Sequence, residues 1–248
     1  SLPILAIHSP FRPVFGWGNE QPKLIEQSIA LAEEVGAGVV IHHLPKTISR
    51  ISFKVGYAPE LRLFNPFGEL EQGYRQWLED EYPALQQSTD VSLCIENMPA
   101  HRYMGITVNG YRWNAHDADS LSEICRFPSL TMDTTHLATW GLEAVVVYAQ
   151  WGKKVGHVHL SNYQNGREHR RPEVGEIKLD ALLAAMSRDQ YEGCISLELH
   201  PDALECGAPD ETVVGHMSKS LAYCREWATE PPHNDCLLYT SDAADDRI

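Results

Sequence analysis

No apolar run in this sequence approaches the roughly 18 residues that a membrane-crossing helix requires. The opening SLPILAIHSP also lacks the basic start and long apolar centre of a secretion signal. No Cys-x-x-Cys pair occurs; Cys94, Cys125, Cys194, Cys206, Cys224 and Cys236 are scattered, as expected of reduced thiols rather than a disulfide frame or a thiolate zinc site. Basic residues are scarce. Lys and Arg number 20 against 34 Asp and Glu, a net charge of −14, which speaks against a nucleic-acid partner because clustered cations supply most of that affinity. There is no short-period repeat, and 43% hydrophobic with 22% charged residues excludes a disordered or fibrous chain. These absences point to a cytoplasmic globular protein.

What is present is an alternation of β-rich apolar runs with segments of helical period, the pattern of parallel strands joined by crossover helices. Strands are predicted at 3–8 (PILAIH), 37–43 (AGVVIHH), 91–97 (VSLCIEN), 129–134 (SLTMDT), 155–160 (VGHVHL) and 194–200 (CISLELH). Helices are predicted at 21–35, 69–87, 120–126, 141–151, 179–187 and 216–228, the first stopping at Gly36. Residues 100–119 are poor in aliphatics and read as a long loop over a pocket. The end, CLLYTSDAADDRI at 236–248, follows Pro231-Pro232 and resembles translated adapter read-through. It is set apart from a single domain at 1–235.

Each predicted strand is a continuous apolar run, as in sheets covered on both faces, and each ends in an ionisable residue. These are His8, His42 (with His43), Glu96, Asp133 (with His136 three residues on), His159 and Glu198. One such residue is commonly just solvated or hydrogen-bonded, but six in succession point to one shared site. In a barrel the carboxyl ends of the strands converge, so Glu, Asp, His and Glu from four strands can surround a divalent cation. Carboxylates and imidazole without thiolate favour Mn²⁺, Mg²⁺ or Co²⁺ and permit Zn²⁺. His157 lies on the same side of its strand as His159, and the latter is preferred as nearer the strand end.

The motifs IHSPF (7–11), VVIHH (39–43), CIENMP (94–99), MDTTH (132–136), GHVHLSN (156–162), HRRPEVGEI (169–177) and LELHP (197–201) resemble, in this order, the xylose-isomerase-like TIM-barrel superfamily. That group contains sugar isomerases, sugar epimerases and metal-dependent apurinic endonucleases. The resemblance covers about residues 3–228 and implies an α/β (β/α)8 barrel. It assigns IHSPF to the third strand and VVIHH to the fourth, so about six of eight units are expected, with an exposed edge at the first strand and an unstable chain. The Ser start is read with this as the mark of a fragment.

The resemblance further implies that Glu96, Asp133, His159 and Glu198 hold the metal, with Glu96 and Glu198 also carrying protons as acid and base. His136, His42, His8 and His169 are the candidate substrate-binding residues. The implied reaction is isomerisation or epimerisation of a sugar, or of a sugar-like hydroxy-carbonyl compound, through an enediolate. The alternative is an apurinic endonuclease or phosphodiesterase, whose third-metal aspartate is replaced by Arg167. A non-catalytic sugar-binding domain is a third reading. Asp133 and His136 also fit simple capping of a following helix, and Arg167, Arg170 and Arg171 fit either a solvated loop or a phosphate or carboxylate contact. Trp17, Trp113 and Trp140 fit either core or sugar-facing walls.

Overall fold

The computed structural model describes residues 3–53, 61–64, 71–103 and 106–229. The proposed tail at 236–248, with Cys236, lies outside these residues. The elements run β1 (Ala6–His8), α1 (Gln21–Val35), β2 (Val39–His43), β3 (Lys46–Phe53), β4 (Leu61–Phe64), α2 (Gln72–Asp80), α3 (Tyr82–Gln87), β5 (Ser92–Glu96), β6 (His101–Tyr103), β7 (Ile106–Tyr111) and α4 (Leu121–Ile124). They continue with β8 (Ser129–Asp133), α5 (Thr134–Thr139), α6 (Ala144–Trp151), β9 (Val155–Leu160), β10 (Asn162–Gln164), β11 (Arg167–Arg170), α7 (Leu179–Arg188), β12 (Cys194–Leu197) and α8 (Asp210–Thr229).

Six parallel strands form one sheet in chain order, β1-β2-β5-β8-β9-β12. This is the TIM-barrel arrangement. Every strand expected from the sequence is present; β9 keeps its predicted bounds and the other five are shorter. Ile4 and Leu5, beside the edge strand β1, are 51% and 57% exposed. The register makes residues of one parity share the inner face: Ile41 pairs with Cys94, Glu96 with Thr131, and Ser196 with His159. This inner layer is polar, with Cys94 Sγ and Ser92 Oγ both 3.2 Å from Ser129 Oγ. The opposite parity is apolar. Leu93, Ile95, Leu130, Met132, Val158 and Leu160 join one core with Ile25 and Ile29 of α1, Val147 of α6 and Leu182 of α7. The amphipathic period of the helices is thereby used against the outside of the barrel, as its sequence pattern requires.

Several boundaries differ from expectation. The segment read as one helix at 69–87 is two, because Pro83 starts α3 where a continuing helix would need its N–H. The short helix α5 is not among the predicted helical spans, although the capping reading of Asp133 implies a helix there. The stretch 100–119, expected as an irregular loop, contributes β6 and β7 to a four-stranded antiparallel sheet in the order β4-β3-β7-β6. Ile51 pairs with Val108 and Ser52 with Thr107. The β-branched run Ile106, Thr107, Val108 carries the strand propensity, but its partner lies more than fifty residues away and is invisible to local pattern. A further hairpin, β10–β11, turns through Asn165 (φ +52°) and Gly166 (φ +78°), the left-handed pair that a two-residue hairpin demands. Among the described residues no helix is long and apolar enough to cross a membrane.

Candidate functional site

The carboxyl ends of the central strands bring ionisable side chains together because neighbouring strands end in register. His43 pairs with Glu96, and Asp133 with His159. Glu96 is buried at the centre. Its Oε2 lies 3.2 Å from His8 Nε2 and 3.3 Å from His43 Nε2, while its Oε1 lies 3.1 Å from His159 Nδ1 and 3.4 Å from His136 Nδ1. Burial alone would raise its pKa, but hydrogen bonds from His159, His43 and His8 hold it well below the carboxylate range.

His159 Nδ1 faces three carboxylates: Glu198 Oε2 at 2.7 Å, Glu96 Oε1 at 3.1 Å and Asp133 Oδ2 at 3.8 Å. Burial would lower its pKa, yet Glu198 and Glu96 lift it to about 11. Glu198 is in turn pulled down to about 2 against its own desolvation, chiefly by His159. Burial, with Glu96 and Glu198 nearby, raises Asp133 despite His136. One proton on His159 cannot serve three acceptors. Among the described residues Asp133 Oδ2 is buried with no hydrogen-bond partner, a costly state for a carboxylate oxygen unless it faces a cation.

Asp133 caps the helix that follows it and still turns one oxygen to the cluster. Its Oδ1 accepts from the backbone N–H of His136 at 2.8 Å, capping α5, and from Thr135 Oγ1 at 2.9 Å. That leaves Oδ2 for the cluster. The ring of His136 donates from Nδ1 to the carbonyl of Asn97 at 2.8 Å, which leaves Nε2 uncommitted; burial would lower its pKa, but Asp133 and Glu96 raise it. His8 is oriented similarly, Nδ1 donating to its neighbour Ser9 O at 2.9 Å. Its Nε2 therefore meets Glu96 Oε2 either as an imidazolium or with a cation between them.

Three groups of ligand atoms each lie within 4.8 Å of one another: Glu96–Asp133–His159–Glu198, His8–His43–Glu96 and Asp133–His136–His169. The four residues expected as metal ligands thus come together, and His8, His136 and His169 border them. His42 does not, which corrects its assignment as a substrate-binding residue. Successive strand residues face opposite sides. His42 points outward and is held between Tyr74 Oη (3.0 Å) and Tyr82 Oη (3.1 Å), with burial pushing its pKa down to about 3. His43, mentioned in the sequence reading only as its neighbour, takes the inner position; it ends its strand as Glu96 ends its own. Phe11, inside the IHSPF motif, was also passed over; it is half-exposed and stacks on His43 with ring centres 5.1 Å apart. Trp113 is buried on Phe127 and Trp140 is half-buried beside His116.

The family model for the xylose isomerase-like TIM barrel matches residues 3–224, and the chain belongs to this family. An uncharacterized protein of Mycobacterium leprae is 24% identical over 245 residues, 91% of this chain and 78% of its own length. Among solved structures, the 3-keto-D-glucoside 4-epimerase of E. coli superimposes with a TM-score of 0.58 at 14% identity, covering 91% of this chain and 80% of that one. The IOLI protein, solved with a bound zinc atom, gives 0.57 at 16% identity, covering 91% and 78%. At these identities the structural likeness speaks for the fold.

Proposed function

We propose that the protein is a divalent-metal-dependent isomerase or epimerase of a sugar or a sugar-like hydroxy-carbonyl compound. The observation that carries this reading is the convergence of Glu96, Glu198 and Asp133 on His159 Nδ1, with Asp133 Oδ2 buried and unpartnered. These donors fit a hard or borderline cation such as Mn²⁺, Mg²⁺ or Co²⁺, with Zn²⁺ also compatible. A divalent ion held there would supply Lewis-acid stabilisation of the negative charge that develops on substrate oxygens when a proton leaves the adjacent carbon.

The protein's own groups would move that proton. Glu198, whose side chain is 41% exposed, is the carboxylate open to an entering substrate, while Glu96 is enclosed by histidines. Acting from two strands of the barrel, they would serve as base and acid in the passage through an enediolate. His136, its Nδ1–H committed to Asn97, would present Nε2 to a substrate hydroxyl. His8 and His169 would flank the same space.

A specific observation supports a second reading. The two further groups, His8–His43–Glu96 and Asp133–His136–His169, could hold additional ions, as a multi-metal phosphodiesterase or apurinic endonuclease would need. Against it stand the net charge of −14 and the cation Arg167 at the position where a third-metal carboxylate was expected. The experiment is metal content per chain by elemental mass spectrometry, followed by solvent-deuterium exchange into a panel of aldoses, ketoses and inositols. One ion per chain and carbon-bound deuterium, lost in Glu198→Gln with metal retained, support the isomerase. Two or three ions with salt-sensitive cleavage of an abasic duplex support the nuclease. A metal-loaded protein that exchanges no sugar hydrogen overturns the leading reading.

A further inference from the structure

A polar cavity of about 510 Å³ lies beside the β10–β11 hairpin and the chain that follows β12. None of the clustered site residues lines it. Its walls include Arg167, Arg170 and Arg171 from the hairpin and Asp202 and Glu205 from the segment after β12.

Three arginines face three carboxylates around this cavity, Glu173, Asp202 and Glu205, but they are not paired one to one. Arg171 lies 3.6 Å from Glu173 and contacts His216 Nδ1, while His216 Nε2 is 3.2 Å from Glu205. Asp202 lies 3.6 Å from the exposed His200. Arg170 is different. Its residue is only 9% exposed, yet among the described residues its guanidinium has neither a hydrogen-bond nor an ion-pair partner. Arg167, exposed on the same hairpin, is likewise unpaired among the described residues. None of the nitrogens of Arg170 is among the fully buried unpartnered atoms, so the guanidinium of this otherwise enclosed side chain opens onto the cavity, where an anion can reach it. The planar fork of Arg170 suits two oxygens of one anion, and Arg167 offers a second unpaired cation on the same wall.

We propose that this cavity binds the phosphoryl group of a phosphorylated small molecule, with Arg170 as the enclosed anchor and Arg167 as the outer contact. The cavity exceeds the size of phosphate alone and falls in the range of pockets that enclose a small organic ligand. The loops after the last two strands of a TIM barrel are also a frequent place for a phosphate. The site stands independently of the isomerase reading, since it shares no residue with the metal-ligand groups.

The test is titration calorimetry on the whole protein kept in chelator, so that no metal at Glu96 can be the anion's partner. The probes are inorganic phosphate, a pentose 5-phosphate and the neutral pentose. Saturable binding of a phosphorylated probe, weakened at least tenfold in Arg170→Gln and several-fold in Arg167→Gln, is expected. A pentose phosphate that outcompetes inorganic phosphate assigns the site to a phosphoester; equal affinities assign it to free phosphate. Arg167 is exposed, so its variant tests the site even where Arg170→Gln does not fold. Absence of phosphate binding, equal binding of the neutral pentose, or unchanged affinity in both variants overturns the proposal.

Discussion

Asn97 and Asp133 exchange two hydrogen bonds across adjacent strands: Asn97 Nδ2 donates to Asp133 O at 3.1 Å, and Asp133 N donates to Asn97 Oδ1 at 2.8 Å. The backbone N–H of Asn97 bonds Thr131 O at 3.4 Å, and its carbonyl receives His136 Nδ1–H. One side chain thus closes the end of the β5–β8 ladder and sets the position of Asp133. Asn97→Ala would strand a buried N–H and a buried carbonyl. It is expected to cost about 2–4 kcal/mol in denaturant unfolding and to weaken metal binding roughly 10–100-fold. Unchanged stability and unchanged metal titration would show that this pair does not position the site.

Metal removal should be visible in stability. Chelation is expected to lower the thermal midpoint, and re-addition at about one hundred times Kd to restore roughly 2.7 kcal/mol. Asp133→Asn separates the two jobs of this residue: the amide oxygen can still cap α5, while the charge facing His159 is gone. Its stability in chelator should stay close to that of the parent, whereas the gain on adding metal should disappear. A full metal-induced gain in Asp133→Asn would remove Asp133 from the ligand set.

His42 supplies a pH test. Burial pushes its pKa down to about 3, against about 6.5 in an unfolded chain. The unfolded state takes up a proton that the folded state refuses, so this contribution to stability is complete above about pH 6.5 and is lost as pH falls toward 3. In His42→Phe both tyrosine hydroxyls keep carbonyl acceptors, Tyr74 on His43 O at 2.8 Å and Tyr82 on Leu93 O at 2.9 Å. The variant should therefore fold, and its thermal midpoint should fall less steeply than that of the parent on acidification. His159, with its pKa raised, acts with the opposite sign, so only the difference between the two proteins reports on His42. Parallel pH profiles would contradict the assignment.

Gly175 is the tightest point of the HRRPEVGEI segment. At φ +136°, an added Cβ would sit 2.4 Å from Asn162 Oδ1 and 2.7 Å from the carbonyl of Tyr163. Asn162 Oδ1 already receives the N–H groups of Tyr163 (2.8 Å) and Ile177 (2.9 Å). Gly175→Ala is expected to cost about 2–4 kcal/mol through this clash and the backbone strain together. Gly215→Ala in α8, where nothing lies within 4 Å of the added carbon, should be neutral or stabilising by up to about 1 kcal/mol. Thermal unfolding of both variants checks the contrast.

The sequence by itself determined the six parallel strands, the outward apolar core and the order in which ionisable residues reach the strand ends. These follow from local alternation and from runs that only a sheet covered on both faces can bury. The Asn165-Gly166 turn went unread, although that dipeptide takes the left-handed conformations a tight hairpin needs, because the polar residues around it read as a loop. What only the tertiary structure decided was which of two adjacent histidines faces inward. His42 and His43 are chemically identical and differ by one step of strand parity; the pairing of His43 with Glu96 makes the choice. The same holds for the sheet of β3, β4, β6 and β7, whose partners are distant in sequence. It holds too for Arg170, whose lack of a partner among the described residues is a property of its surroundings and of nothing in the sequence beside it.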